Sequence, residues 1–161
     1  VRNSFVRLAD GLIEEGKPDS AVAVLDRCNE LVPDSKVPYN YWNMLMVESY
    51  YKAAGKSLGG KTKDSLTVSS NINQAYIGKA NEVIRIMAEN CEDELIYYFN
   101  LKPQFRATIQ EDLQRAYYIM KSLADMAIQY GEKQVSNDVS KKLNDLMTVF
   151  QPDLVEPRLK Q

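Results

Sequence analysis

Gly55, Gly60, Lys61 and Thr62 fit the spacing G-x-x-x-x-G-K-[ST], in which backbone amides cradle a phosphate and the lysine reaches its oxygens. That chemistry needs a buried strand before the loop and a helix directly after it, so that N–H groups converge on the anion. Here the preceding VESYYKAA reads as a helix, and the polar stretch Lys63–Asn73 lacks helical periodicity. The match therefore reads as an accident of a Gly- and Lys-rich loop, and a P-loop nucleotide-binding protein is kept only as a remote alternative. The carboxylate groups Glu14–Glu15 and Glu92–Asp93–Glu94 are the next candidates for acid–base work. They fall at helix ends on polar faces, where solvated charge belongs, and no pocket that would perturb them can be inferred. The chain contains no histidine, which removes Ser-His and Cys-His catalysis and most transition-metal sites. No catalytic, metal or cofactor-binding residue is assigned, and the chain as given is not expected to be an enzyme.

Two cysteines, Cys28 and Cys91, read as unpaired, apolar-like thiols. Three Tyr-Tyr pairs, Tyr50–Tyr51, Tyr97–Tyr98 and Tyr117–Tyr118, carry more interest. Neighbours on a helix point ~100° apart, so one ring of each pair packs inward while the other reaches a groove or the surface. Aromatic rings with a polar tip are good anchors for peptides or sugars, although core packing accounts for most of them.

These side chains must be held by helices. The 161 residues are enough for one domain with a real core, and 45% hydrophobic with 26% charged residues is ordinary for a globular chain. Lys plus Arg (20) against Asp plus Glu (22) gives a net charge of −2, which argues against a nucleic-acid partner. No apolar run approaches the ~18 residues that span a bilayer. Phe5, Leu8, Leu12 and Ile13 recur at helical spacing, as do Val22, Leu25, Cys28 and Val32. Ala9 and Ala21 are small where two helices must cross, Gly16 suits a left-handed helix end, and Pro18 with Asp19 suits the next helix's first turn.

A third helix is expected over about 39–54 and its partner over about 74–91, separated by the polar insertion 56–74. A short helix over the residues after Cys91 is expected to break at Asn100–Pro103. A long helix over about 103–130, ending at Gly131, and a last one over about 133–150 complete the count. The tail 151–161, with Pro152 and Pro157, reads as irregular. The insertion is expected to be a surface loop, with Lys56, Lys61 and Lys63 as a candidate recognition element.

The stretch Phe5–Pro33 resembles a tetratricopeptide repeat. Phe5, Leu8, Ala9 and Leu12 match that family's first-helix pattern, Gly16 its turn, Ala21, Leu25 and Cys28 its second helix, and Pro33 its closing proline. Ala80, Ile84 and Met87 repeat the spacing of Ala21, Leu25 and Cys28. The resemblance implies an all-α, tetratricopeptide-like α-α superhelix within a single domain, 1–150. Its hairpins are expected over about 2–32, 39–91 and 103–150, the third divergent and capping. It also implies a concave face, on whose helices lie Asn3, Val6, Asp10, Tyr39, Trp42 and Asn43, the candidate binding groove.

Over about residues 2–150, the chain further resembles the soluble C-terminal region of multi-pass membrane proteins, common in Bacteroidetes, that are similar to protein O-mannosyltransferases. The runs that carry this are RNSFVRLADGLIEEGKPDSAVAVLDRCNELVPDSKVPYNY, ESYYKAAG, GKANEVIRIMAE and YYFNLKPQFRATIQEDLQ. The chain opens on Val1 inside a helix pattern, so a fragment of a longer polypeptide is expected. The resemblance implies a place on the periplasmic face of the inner membrane, with the catalytic residues in an upstream membrane portion. Asp19–Ser20–Ala21 and Asp64–Ser65–Leu66 also resemble acceptor sites for O-glycans in such periplasms. The function expected is a non-catalytic scaffold that docks a protein or peptide segment, including its own membrane domain; a carbohydrate-binding accessory module is the alternative.

Overall fold

The computed structural model describes residues 1–56, 73–106 and 108–150, and these are all-helical, with no strand. In chain order the helices are α1 (Arg2–Glu14), α2 (Pro18–Leu31), α3 (Met44–Ala53), α4 (Gln74–Asn100), the short α5 (Pro103–Arg106), α6 (Gln110–Gln129) and α7 (Lys133–Phe150). A single 3-10 turn, Tyr41–Asn43, leads into α3. The chain divides into two compact units. One is Val1–Ile86 with Gln129–Gly131; the other is Met87–Ile128 with the chain from Glu132 onward.

In the first unit α1 packs on α2 and α3, and α2 on α3. Ala9, Ala21, Leu25 and Cys28 are completely buried, enclosed by the close packing of these helices. Three helix ends are closed in the same way. Gly16, Gly55 and Gly131 all have positive φ (74°, 85° and 82°). The next amide in each case reaches back five residues: Lys17 to Leu12, Lys56 to Tyr51 and Glu132 to Ala127, at 2.8–3.0 Å. Only a residue without Cβ takes this left-handed position cheaply.

Polar links fasten the first unit. Tyr50 donates to Asp26 (2.9 Å) and accepts from Asn29 (3.2 Å), whose carbonyl takes the Tyr39 hydroxyl proton (3.0 Å). Lys79 of α4 pairs with the other oxygen of Asp26 at 2.6 Å, and Tyr51 donates to Asn81 at 2.6 Å. Burial and the bond to Asp26 raise the Tyr50 phenol well above its ordinary range.

The second unit is more uniformly apolar. Ala116, Ile119, Met120, Leu123, Ala124 and Ala127 form the buried stripe of α6, and Val135, Val139, Leu143, Leu146 and Met147, with the polar Ser136, that of α7. Phe99 stacks on Phe150 with ring centroids 4.8 Å apart, and Lys142 pairs with Glu92.

Several expectations need correction. Nothing breaks the chain after Cys91: without Gly or Pro to interrupt it, α4 runs on to Asn100. The helix expected over 103–130 is divided into α5 and α6. The third helix starts later than Tyr39, because Asn40 caps the 3-10 turn and the α-helix begins only at Met44. On α1 the enclosed residues are Val6 and Ala9, whereas Leu8 is 55% exposed and Phe5 half-buried. Close approach to both α2 and α3 favours the shorter side chains.

Candidate functional site

The connector between α2 and the 3-10 turn is folded rather than loose. Arg2 holds it, donating to the carbonyls of Val32 (2.9 Å), Pro38 (3.3 Å) and Val37. The guanidinium also lies over the Tyr39 ring, 4.6 Å from its centroid, a cation–π arrangement. Asp34 accepts the Tyr39 amide at 2.7 Å, and the amides of Lys36 and Val37 both point to Pro33 O at 3.1 Å. Asn40 then accepts from the Trp42 amide (3.1 Å) while Asn43 accepts from the Asn40 amide (2.9 Å), a reciprocal cap that fixes the entry to α3.

This folded connector closes one wall of a hollow of about 550 Å³, the start of α1 and the 3-10 turn forming the others. Its apolar rim comes from Leu31, Val37 and Trp42, all substantially exposed. Trp42, the one tryptophan of the chain, is 59% exposed and meets Tyr41 edge-on at 5.8 Å. Asn3 and Asn40 bring amides, Arg2 and Lys36 positive charge, and no acidic residue lines the hollow. Burial raises the Cys28 thiol and the Tyr39 phenol, and in both cases the Arg2 charge opposes the rise.

Of the six groove residues expected, Asn3, Trp42 and Asn43 come together around this hollow. The other three do not. Val6 is 3% exposed and belongs to the core, because its face of α1 meets the neighbouring helices. Asp10 is half-buried and accepts the Ser49 hydroxyl at 2.7 Å. The Tyr39 hydroxyl is taken up by Asn29. Lys56 is half-buried and donates to Tyr130 O at 2.8 Å, with the Tyr51 ring 5.8 Å away, so it anchors structure at its end of the insertion. Lys61 and Lys63, like the P-loop-like Gly60 and Thr62, lie outside the described residues, as does Asp64–Ser65–Leu66. Ser20 of the other acceptor-like motif is exposed on α2, while Asp19 accepts from Tyr76 at 2.5 Å.

Arg2, Leu31, Lys36, Val37 and Asn40 were not legible as site residues. The available signal was the pair Pro33 and Pro38 bracketing a short connector, followed by an Asn in capping position. Among the described residues no group of three His, Cys, Asp or Glu side chains could hold a metal ion, and no helix is long and apolar enough to cross a membrane. No protein-family model, curated protein or solved structure matches the chain.

Proposed function

We propose that the first unit is a non-catalytic interaction module, a tetratricopeptide-like helical scaffold that docks a segment of polypeptide in the hollow beside Trp42. The observation that carries this reading is the exposure of Trp42 at the rim of a concavity whose walls are fixed by the bonds of Arg2 and the Asn40–Asn43 cap. An aromatic anchor on a rigid frame loses little conformational freedom when a partner covers it. The remaining rim residues, apolar Leu31 and Val37 with the Asn3 and Asn40 amides, suit an extended chain that offers side chains and backbone groups alternately. In keeping with the resemblance to the soluble region of membrane glycosyltransferase-like proteins, the proposal puts such a module on the periplasmic side, the docked segment belonging to the parent protein or a neighbour.

A photo-crosslinking amino acid at position 31, on the rim beside an intact Trp42, with a control at exposed Lys141 on α7, tests the reading in cells that make the protein. Position 31 is expected to crosslink to polypeptide and position 141 is not. Equal yields from both positions, or none from position 31, would remove the hollow as a docking site. A second reading has its own observation: an exposed indole flanked by amides also suits a sugar ring. Quenching of Trp42 fluorescence by manno-oligosaccharides, with no crosslink to protein, would favour the carbohydrate-binding module.

A further inference from the structure

The side chains that line the hollow carry positive and no negative charge, although Asp34 and Glu82 act on Tyr39 behind it. The Arg2 guanidinium spends its described hydrogen bonds on three neutral carbonyls rather than on a carboxylate. Lys36 is exposed and forms no ion pair among the described residues. With no acidic residue in the lining, two positive groups face a concavity that also presents Val37 and Trp42. The carbonyls hold Arg2 in place without pairing it to a carboxylate. An exposed ammonium at the rim and a fixed guanidinium behind it favour an anion entering between them.

We propose that the occupant is an acidic peptide segment in which carboxylate side chains alternate with apolar ones. This inference rests on the docking reading above and names the chemistry of the docked chain. A carboxylate meets Lys36 and the field of Arg2, while the following apolar side chain covers Trp42 and Val37. The Asn3 and Asn40 amides are placed to serve the peptide backbone between them. A neutral apolar peptide would leave the positive groups partly desolvated without a partner, which is unfavourable. A simple anion would leave the apolar rim uncovered.

The test is fluorescence anisotropy on the whole chain with three short labelled peptides: alternating Leu and Glu, the same with Gln for Glu, and the same with Ser for Leu. The Leu/Glu peptide is expected to bind, to weaken about tenfold on exchange of Glu for Gln, and to weaken again as salt is raised. Lys36→Glu, at an exposed position, is expected to weaken it by a similar factor with an unchanged circular-dichroism spectrum. Trp42→Ala is expected to abolish binding. Equal affinity for the Glu and Gln peptides, or no effect of Lys36→Glu, would overturn the acidic occupant while leaving polypeptide docking intact. Failure of all three peptides to bind would also overturn it, and crosslinking at position 31 would then decide the docking reading by itself. Binding of the Leu/Glu and Ser/Glu peptides with equal affinity would reduce the site to a plain anion subsite and overturn the proposal as well.

Discussion

Cys28 on α2 and Cys91 on α4 are both enclosed thiols, one in each unit, and their surroundings differ. Around Cys28 the first unit interleaves apolar packing with polar links: Arg2 is near enough to oppose the thiol's rise, and Tyr39, Asn29, Tyr50, Asp26 and Lys79 form a continuous hydrogen-bonded run. At Cys91, in the second unit, the described charge acting on the thiol is a carboxylate. Burial pushes the thiol to about 12, and Glu94 adds to the rise. Apolar area is non-directional, whereas a satisfied polar network fixes particular distances. In the unit that carries the hollow, the connector and the 3-10 turn are held by directional side-chain bonds. Precise placement of Arg2, Asn40 and Trp42 follows from that.

The largest effects should be common to both units. Leu25 and Leu123 are each fully buried, so Leu25→Ala and Leu123→Ala should each cost about 2–5 kcal/mol, read as a lowered urea midpoint. A cost under about 1 kcal/mol in either would mean that its unit relaxes around the cavity, which would set the two cores apart. Next comes overpacking. Ala21 is fully buried on α2, which packs against α1 and α3, and Ala21→Leu should cost about 1–3 kcal/mol. An unchanged melting temperature would remove the close crossing that the repeat resemblance implies.

The polar links can be tested with two tyrosines of opposite standing. Tyr50 makes two hydrogen bonds, and removing its hydroxyl leaves Asp26 and Asn29 short of a partner. Tyr50→Phe should therefore cost about 1–2 kcal/mol. The Tyr130 hydroxyl is buried and has no hydrogen-bond partner among the described residues, although its ring stacks on Tyr51 at 4.6 Å. Tyr130→Phe keeps the stack and discards the unmatched group, so it should be neutral or slightly stabilising. If the two variants behave alike in thermal melts, the run through Tyr50 contributes no more than an unpaired hydroxyl does.

The helical hairpin turns were legible because Gly16 and Gly131 announce themselves, and the buried stripes because periodicity follows burial. The end of α4 was misread because Glu92, Asp93 and Glu94 look like a helix start, yet acidic residues in mid-helix cost little when they face solvent, as Asp93 and Glu94 do. In the hollow, Asn3, Trp42 and Asn43 were found as residues on facing helices. Lys36 and Val37 were not, because their position depends on Arg2 bonding to carbonyls some thirty or more residues away in sequence. No local pattern records a bond of that reach. Val6 was misplaced for a related reason: a helical wheel gives the faces of α1 and leaves open which one its neighbours cover.

The smallest effect separates the two thiols directly. Unfolded, a cysteine ionises near pH 9; folded, Cys91 ionises only at about 12. Between those values the unfolded chain gives up a proton that the folded chain keeps, so stability falls as pH rises. Its contribution is complete below pH 9 and should shrink by about 1 kcal/mol by pH 10, where most unfolded thiols are ionised. Urea midpoints between pH 8 and 10 should drift downward in the wild type and more shallowly in Cys91→Ala. Cys28→Ala should flatten the same drift less, because Arg2 offsets part of the rise at Cys28. Equal flattening by both variants would mean that the guanidinium, fully engaged with its carbonyls, exerts no field at Cys28. The same result would count against its reaching an anion in the hollow.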